Sequence, residues 1–156
     1  MANLSYKIAL LGNPNTGKSS VFNQLTGLRQ KVGNFPGVTV ERKNGGFKLN
    51  NSTEVSVTDF PGTYSMFPTS LDERIVLNGL TNKKDIDFPD AVVYVADVNN
   101  LERHSLLLTQ LIDMEFPIVL ALNMNDVAAK TGLTVDIKKL ASLFDLPVVS
   151  VNGRTG

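Results

Sequence analysis

Apolar residues follow two alternating rhythms along the chain. Short apolar runs at residues 6–11, interrupted only at Lys7, and at 91–96 and 118–122 are five or six residues long and end at Gly, Asp or Asn, the pattern of strands buried on both faces. Between them, apolar positions recur at helical spacing. Val21, Phe22 and Leu25 mark a helix over 18–25 that stops at Gly27. Residues 71–80 can form a second helix. Leu101, Leu107, Leu108, Leu111 and Ile112 outline a third, and residues 137–144 a fourth. Residues 40–49 and 54–59 read as two strands joined by a turn at Asn50-Asn51, and residues 148–151 as a last strand. Residues 28–39 and 60–68 contain Gly and Pro and read as loops. Strands alternating with helices predict an α/β domain, with a mostly parallel six-stranded sheet flanked by helices on both faces. A helix normally follows the last strand in this architecture. The stop at Gly156 therefore suggests a fragment, or a remaining helix left out.

Composition narrows the class. The 156 residues suit one domain, and 42% hydrophobic with 19% charged residues suits a globular one. Fifteen basic residues balance fifteen acidic ones, against the basic excess of a general nucleic-acid binder. There is no cysteine and one histidine, His104, so disulfides, thiolate chemistry and a multi-histidine metal site are excluded. His104 itself reads as a surface or packing residue. No signal peptide opens the chain, and no apolar run approaches the ~20 residues of a membrane span. The expectation is a soluble piece of cytoplasmic type.

Gly12-Asn13-Pro14-Asn15-Thr16-Gly17-Lys18-Ser19 fits the phosphate-binding loop G-x-x-x-x-G-K-[ST] and sits between a buried strand and a helix. Its amides form an anion nest at the helix start. Lys18 supplies a charge for the β- and γ-phosphates, and the Ser19 hydroxyl a hard oxygen for Mg²⁺. Asp59-Phe60-Pro61-Gly62 ends a strand with a carboxylate that can hold Mg²⁺, usually through water, and with a Gly62 N–H that can meet the γ-phosphate. Asn123-Met124-Asn125-Asp126 fits N-x-x-D. Asp126 can accept from N1–H and the 2-amino group of guanine, while Asn123 ties this loop to the phosphate loop. Met124 replaces a usual lysine and offers an apolar stem to the base. Thr39 is placed where a threonine commonly binds Mg²⁺ and the γ-phosphate. Ser150, Val151 and Asn152 follow the last strand, where a short loop contacts the base.

In this order the elements look like a P-loop NTPase of the TRAFAC class, a Ras-like G domain. The phosphate loop, the stretch Val32-Gly33-Asn34-Phe35-Pro36-Gly37-Val38-Thr39-Val40-Glu41, Asp59-Phe60-Pro61-Gly62-Thr63-Tyr64-Ser65 and Ser70-Leu71-Asp72-Glu73 resemble the N-terminal G domain of the ferrous-iron transporter B family (FeoB). The resemblance covers essentially the whole chain. It departs at Phe60, where leucine is usual, at Asn125, and at Asn152-Gly153. It implies GTP and GDP as ligands, with contacts that extend to Ser20, Gly37 and Val38. It implies Mg²⁺ as cofactor and K⁺ as activator, with Asn15 as the K⁺ ligand. Lys18, Asn15, Thr39 and Gly62 would act in hydrolysis. It also implies a following helical domain and a membrane-embedded iron pathway in the same polypeptide, at the cytoplasmic face of the bacterial inner membrane. Oligomerisation through the membrane domain is compatible with it.

Thr63 occupies the position where Ras-like enzymes place a water-orienting glutamine, so slow turnover is expected. Arg29 and Arg42 could serve as arginine fingers but read better as solvated charges. Asp85, Asp87 and Asp90 read as a solvated acidic loop. Two other functions fit the motifs: a soluble GTPase of ribosome assembly or RNA modification, against which the zero net charge speaks, and a non-catalytic module signalling by occupancy.

Overall fold

A computed structural model describes residues 4–29 and 41–156. The strands are β1 (Leu4–Gly12), β2 (Lys43–Asn50), β3 (Thr53–Asp59), β4 (Ala91–Asp97), β5 (Ile118–Asn123) and β6 (Val148–Ser150). The helices are α1 (Lys18–Thr26), α2 (Leu71–Thr81), α3 (Leu101–Asp113), α4 (Asn125–Lys130) and α5 (Ile137–Phe144), with a 3₁₀ turn at Val98–Asn100. The strands form one sheet in the order β2-β3-β1-β4-β5-β6. Only the β2–β3 pair is antiparallel; every other neighbouring pair is parallel.

Two apolar layers hold the sheet. On one face Leu11, Tyr94, Leu120 and Leu122 meet Val76 and Leu80 of α2 and Leu107, Leu108 and Leu111 of α3, while α5 contributes Ile137, Leu140 and Phe144. On the other face Leu10, Val57 and Val95 pack on Val21 and Phe22 of α1. Burying a side chain such as Phe22, which is fully buried, stabilises the fold by about 2–3 kcal/mol.

Local signals set the element ends. Ser52 donates its N–H and its hydroxyl to Asn50 Oδ1, which makes the β2–β3 turn. Ser70 and Glu73 form a reciprocal capping box at α2, and the Asp136 carboxylate caps α5. The periodicity does not predict α4. That helix has six residues, no apolar stripe, and starts from Met124 in the left-handed region at φ 65°.

Register gives the fold its functional edge. Leu10 pairs with Asp59, Leu11 with Tyr94, and Asp97 with Asn123. The carboxyl ends of four parallel strands therefore lie side by side, where open α/β sheets bind ligands.

Candidate nucleotide-binding site

Gly12 closes β1 and accepts the Thr63 N–H through its carbonyl at 3.2 Å. A Cβ on Gly12 would lie 2.4 Å from the Val95 carbonyl oxygen, so only glycine fits this close crossing. The loop then turns through Asn15, exposed at φ 65°, and Gly17, at φ 80°. The Thr16 hydroxyl donates to the Asn13 carbonyl at 3.1 Å inside the turn. Gly17 is the N-cap of α1 and offers no side-chain cap, and the first turn has no acidic residue. Among the described residues no side chain caps the start of α1, whereas α2 and α5 are capped by Ser70 and Asp136. A helix start without a side-chain cap suits an anion.

Lys18 and Asp59 are both buried, and the Lys18 ammonium donates to Asp59 Oδ1. A cation and a carboxylate held together in this cleft are complementary to a phosphate and to a divalent cation, respectively. Ser19, half-buried at the start of α1, adds a hydroxyl oxygen. Hard oxygen donors of this kind fit Mg²⁺.

Gly62 presses on the loop, since a Cβ there would lie 3.0 Å from Pro14 Cα. Pro61 is buried, and Phe60 belongs to the core rather than to the cleft. The Phe60 ring packs so tightly on α2 that a Cβ at Gly79 would lie 2.4 Å from it. Any ligand contact from Phe60 must therefore come from its main chain. The Thr63 hydroxyl is engaged inside its own segment, 2.9 Å from the Ser65 carbonyl and 3.3 Å from Glu73 Oε1. The Thr69 N–H and hydroxyl hold the Glu73 carboxyl below its ordinary pKa.

Asn123 is the joint of the site. Its Nδ2 donates to the Thr16 carbonyl at 2.9 Å, and its Oδ1 accepts from the Gly153 N–H at 3.1 Å. Three loops meet on one buried carboxamide. Ser20 packs at the same junction, where a Cβ on Gly153 would lie 3.1 Å from Ser20 Cβ. Asn125 departs from the family pattern and also serves as a tie, donating to the Leu122 carbonyl at 2.7 Å and reaching the Val151 carbonyl at 3.4 Å. Met124 and Asp126 are half-buried. Ser150 is exposed at the end of β6. Val151 continues the pairing by donating to Leu122, and Asn152 Oδ1 accepts from the N–H groups of Arg154 and Thr155.

Several contacts were not legible as motifs. Arg154 places its guanidinium 3.7 Å from Asp126 Oδ2. Arg42 is neither a solvated charge nor directed at the phosphate loop: it pairs with Asp85 at 2.7 Å and lies over the Phe60 ring at 5.0 Å. Asp85 and Asp90 likewise do more than solvate a loop, for Asp90 Oδ2 accepts the Lys7 N–H at 2.8 Å. His104 is buried, and its Nδ1 accepts the Asp97 N–H at 3.1 Å. Gly37, Val38, Thr39 and most of the loop expected over 28–39 lie outside the described residues. Among the described residues no helix is long and apolar enough to cross a membrane.

A sequence profile of the family described as "Ferrous iron transport protein B" matches residues 6–156. The Fe(2+) transporter FeoB of Leptospira biflexa is 46% identical over 96% of this chain, which covers 21% of that protein. The Fe(2+) transporter FeoB of Shigella flexneri is 44% identical over 94% of the chain, which covers 19% of it. The chain thus spans about a fifth of the length of these curated relatives. Among solved structures, the FeoB G-domain from Methanococcus jannaschii superposes with a TM-score of 0.84 at 40% identity, over 97% of this chain and 88% of that one. NFeoB from S. thermophilus bound to GDP.AlF4⁻ and K⁺ gives 0.84 at 43% identity, over 98% and 57%. A Ras-like G-domain fold with the phosphate loop, the Asp59 turn and the Asn123 joint at its carboxyl edge, matched along nearly its whole length, places this chain in the FeoB family as an N-terminal G domain.

Proposed function

We propose that this domain binds GTP with Mg²⁺, hydrolyses it slowly, and through its nucleotide state regulates or drives ferrous-iron uptake by the membrane part of a longer polypeptide. The site would face the cytoplasm. The observation that carries the reading is the buried Lys18–Asp59 pair at the uncapped start of α1, stitched by Asn123 to the loop that bears Asp126.

The roles follow from chemistry. Lys18 leaves Asp59 for the β- and γ-phosphates, and the N–H groups of the loop from Asn15 to Ser20 cradle them, with Asn13 and Pro14 bordering the site. Ser19, Asp59 and Thr39 offer oxygens to Mg²⁺, which when bound supplies positive charge to the phosphate oxygens. The Gly62 N–H meets the γ-phosphate, and Gly37 and Val38 are further nucleotide-binding residues. Asp126 reads guanine, Met124 covers the base plane, and Ser150, Val151 and Asn152 border it. The Thr63 hydroxyl is engaged with Ser65 and Glu73, so Thr63 does not orient water as a glutamine at that position would, and turnover is slow. Asn15 offers a carbonyl oxygen to K⁺. A solved relative is described as bound to GDP.AlF4⁻ and K⁺, which supports this assignment.

Turnover of GTP and ATP, measured in K⁺ and in Na⁺ at matched ionic strength, tests the proposal. GTP should be hydrolysed in preference to ATP and faster in K⁺, and Asn15→Ala should remove the K⁺ effect while nucleotide still binds. Binding without turnover in either cation would instead leave a module that signals by occupancy.

A further inference from the structure

Tyr94 stands in β4, fully buried, with its hydroxyl between two elements. Its Oη lies 2.7 Å from the Asn13 carboxamide, with Oδ1 placed toward it, and 2.8 Å from the main-chain carbonyl oxygen of His104 in α3. A phenol has one proton to donate, and burial pushes the Tyr94 pKa well above that of a free phenol, so the proton is retained. A main-chain carbonyl can only accept. The Tyr94 proton therefore goes to His104, and the contact with Asn13 is a hydrogen bond only if the carboxamide turns its NH₂ toward Tyr94. The two ends of an amide have the same shape and are told apart by the bonds they make.

The same rotation resolves a second feature. With oxygen toward Tyr94, Asn13 Nδ2 is buried without a partner among the described residues. Turned, Asn13 donates to Tyr94 and Tyr94 donates to His104. The atom left over is then a carbonyl oxygen, which proteins leave unpaired more readily than an N–H.

Resting on the GTPase reading above, we infer that Tyr94 is a positioning residue for the phosphate loop: through Asn13 it anchors the loop's first half to β4 and α3, and so sets where Asn15 stands. The second half has its own anchors, since Asn123 holds the Thr16 carbonyl and α1 begins at Lys18. The first half runs from Asn13 through Pro14 to Asn15. Pro14, with its fixed φ, passes any shift of Asn13 on to Asn15, and it lies against Gly62. A displaced Asn13 therefore disturbs both the proposed cation ligand and the segment that meets the γ-phosphate. The phosphate grip of Lys18 and Ser19 is spared.

Tyr94→Phe keeps the ring and removes the hydroxyl. GTP turnover should fall about tenfold, because small misplacements near reacting groups are costly. The K⁺ concentration for half-activation should rise several-fold, with GDP affinity within about twofold of the unaltered protein. Asn13→Ala should slow turnover similarly, and the double variant should be no slower than the slower single one. Tyr94→Phe with unaltered turnover and K⁺ response, or losses that add in the double variant, would overturn the inference. Loss of K⁺ response in the unaltered protein would instead sink the functional reading. The Asn13 carboxamide resonances in an NMR spectrum test the anchor without any turnover. Their protons should be protected from exchange in the unaltered protein and should shift in Tyr94→Phe. Freely exchanging protons would refute the anchor whatever the kinetics.

Discussion

The phosphate loop and the base-reading loops share one edge of the sheet but are built on opposite principles. Asn13 and Thr16 are buried almost completely, and Gly12 and Gly17 have no room for a Cβ. The Gly12 and Thr16 carbonyls and the Asn13 carboxamide each meet a group from another element. The base-reading side is open: Met124 and Asp126 are half-buried, Ser150 is exposed, and Asp126 meets a guanidinium that is itself 78% exposed. In the proposed site the phosphates would be met by backbone that folding has already placed, a preorganised grip. In the proposed site guanine would be chosen by Asp126, a carboxylate on a six-residue helix, with Arg154 as competitor. Asn123 is where the two sides touch.

Breaking that joint should have the largest effect. A Cβ at Gly17 would lie 2.3 Å from Asn123 Nδ2, at a φ of 80° that side chains rarely adopt. Gly17→Ala should lower affinity for guanine and adenine nucleotides alike, by roughly a hundredfold or about 3 kcal/mol, in a fluorescent-nucleotide titration. Loss confined to guanine would show that the phosphate side does not depend on the joint. Asp126→Ala should act on one side only. It removes charge-assisted hydrogen bonds and should erase about 2–3 kcal/mol of the preference for GTP over ATP, leaving ATP binding as it was. A preference that survived the substitution would move base selection elsewhere.

The contrast also explains what could be read from the chain in advance. The phosphate loop is a local motif between an apolar run and an amphipathic segment, so its strand, turn and helix are encoded in consecutive residues. The tie from Asn123 to the phosphate loop was legible for a related reason: its two ends are motifs of fixed type. Contacts outside motifs were not. Tyr94 lies in an apolar run and looks like any core aromatic until its hydroxyl is found against Asn13. Arg42 finds Asp85 across 43 residues, a pairing that no local pattern encodes. Helix α4 escapes periodicity because six residues cannot display an apolar stripe and its N-cap is a left-handed Met124. Phe60 follows a motif aspartate and so reads as part of the site, yet α2 draws its ring into the core.

The preorganised side also carries the one histidine, with a smaller effect. Burial lowers the His104 pKa below its ordinary 6.5, Asp97 opposes the shift, and Arg103 adds to it. The folded state therefore favours neutral imidazole, whose Nδ1 accepts the Asp97 N–H. Stability from this group is complete above about pH 6.5 and is lost as pH falls through the lower folded value. Urea unfolding should show the protein weaker at pH 5.5 than at pH 7.5, and His104→Asn should flatten that difference. A pH dependence unchanged in the variant would assign it to other groups.

The smallest effect belongs to Arg154, and it tests how open the base-reading side is. Its guanidinium lies 3.7 Å from Asp126 Oδ2, close enough to attract but long for a good hydrogen bond. In the proposed site guanine needs the same carboxylate, so Arg154 would compete with the base while the site is free. Exposed pairs of this kind are worth less than ~1 kcal/mol and weaken with salt. Arg154→Ala should therefore raise GDP affinity by no more than about fivefold at low ionic strength, chiefly through slower release, with the gain fading as salt is added. Stopped-flow dissociation of a fluorescent GDP analogue at two salt concentrations measures this directly. Faster release from the variant would reverse the assignment, making Arg154 a support for Asp126 or a contact to the bound nucleotide.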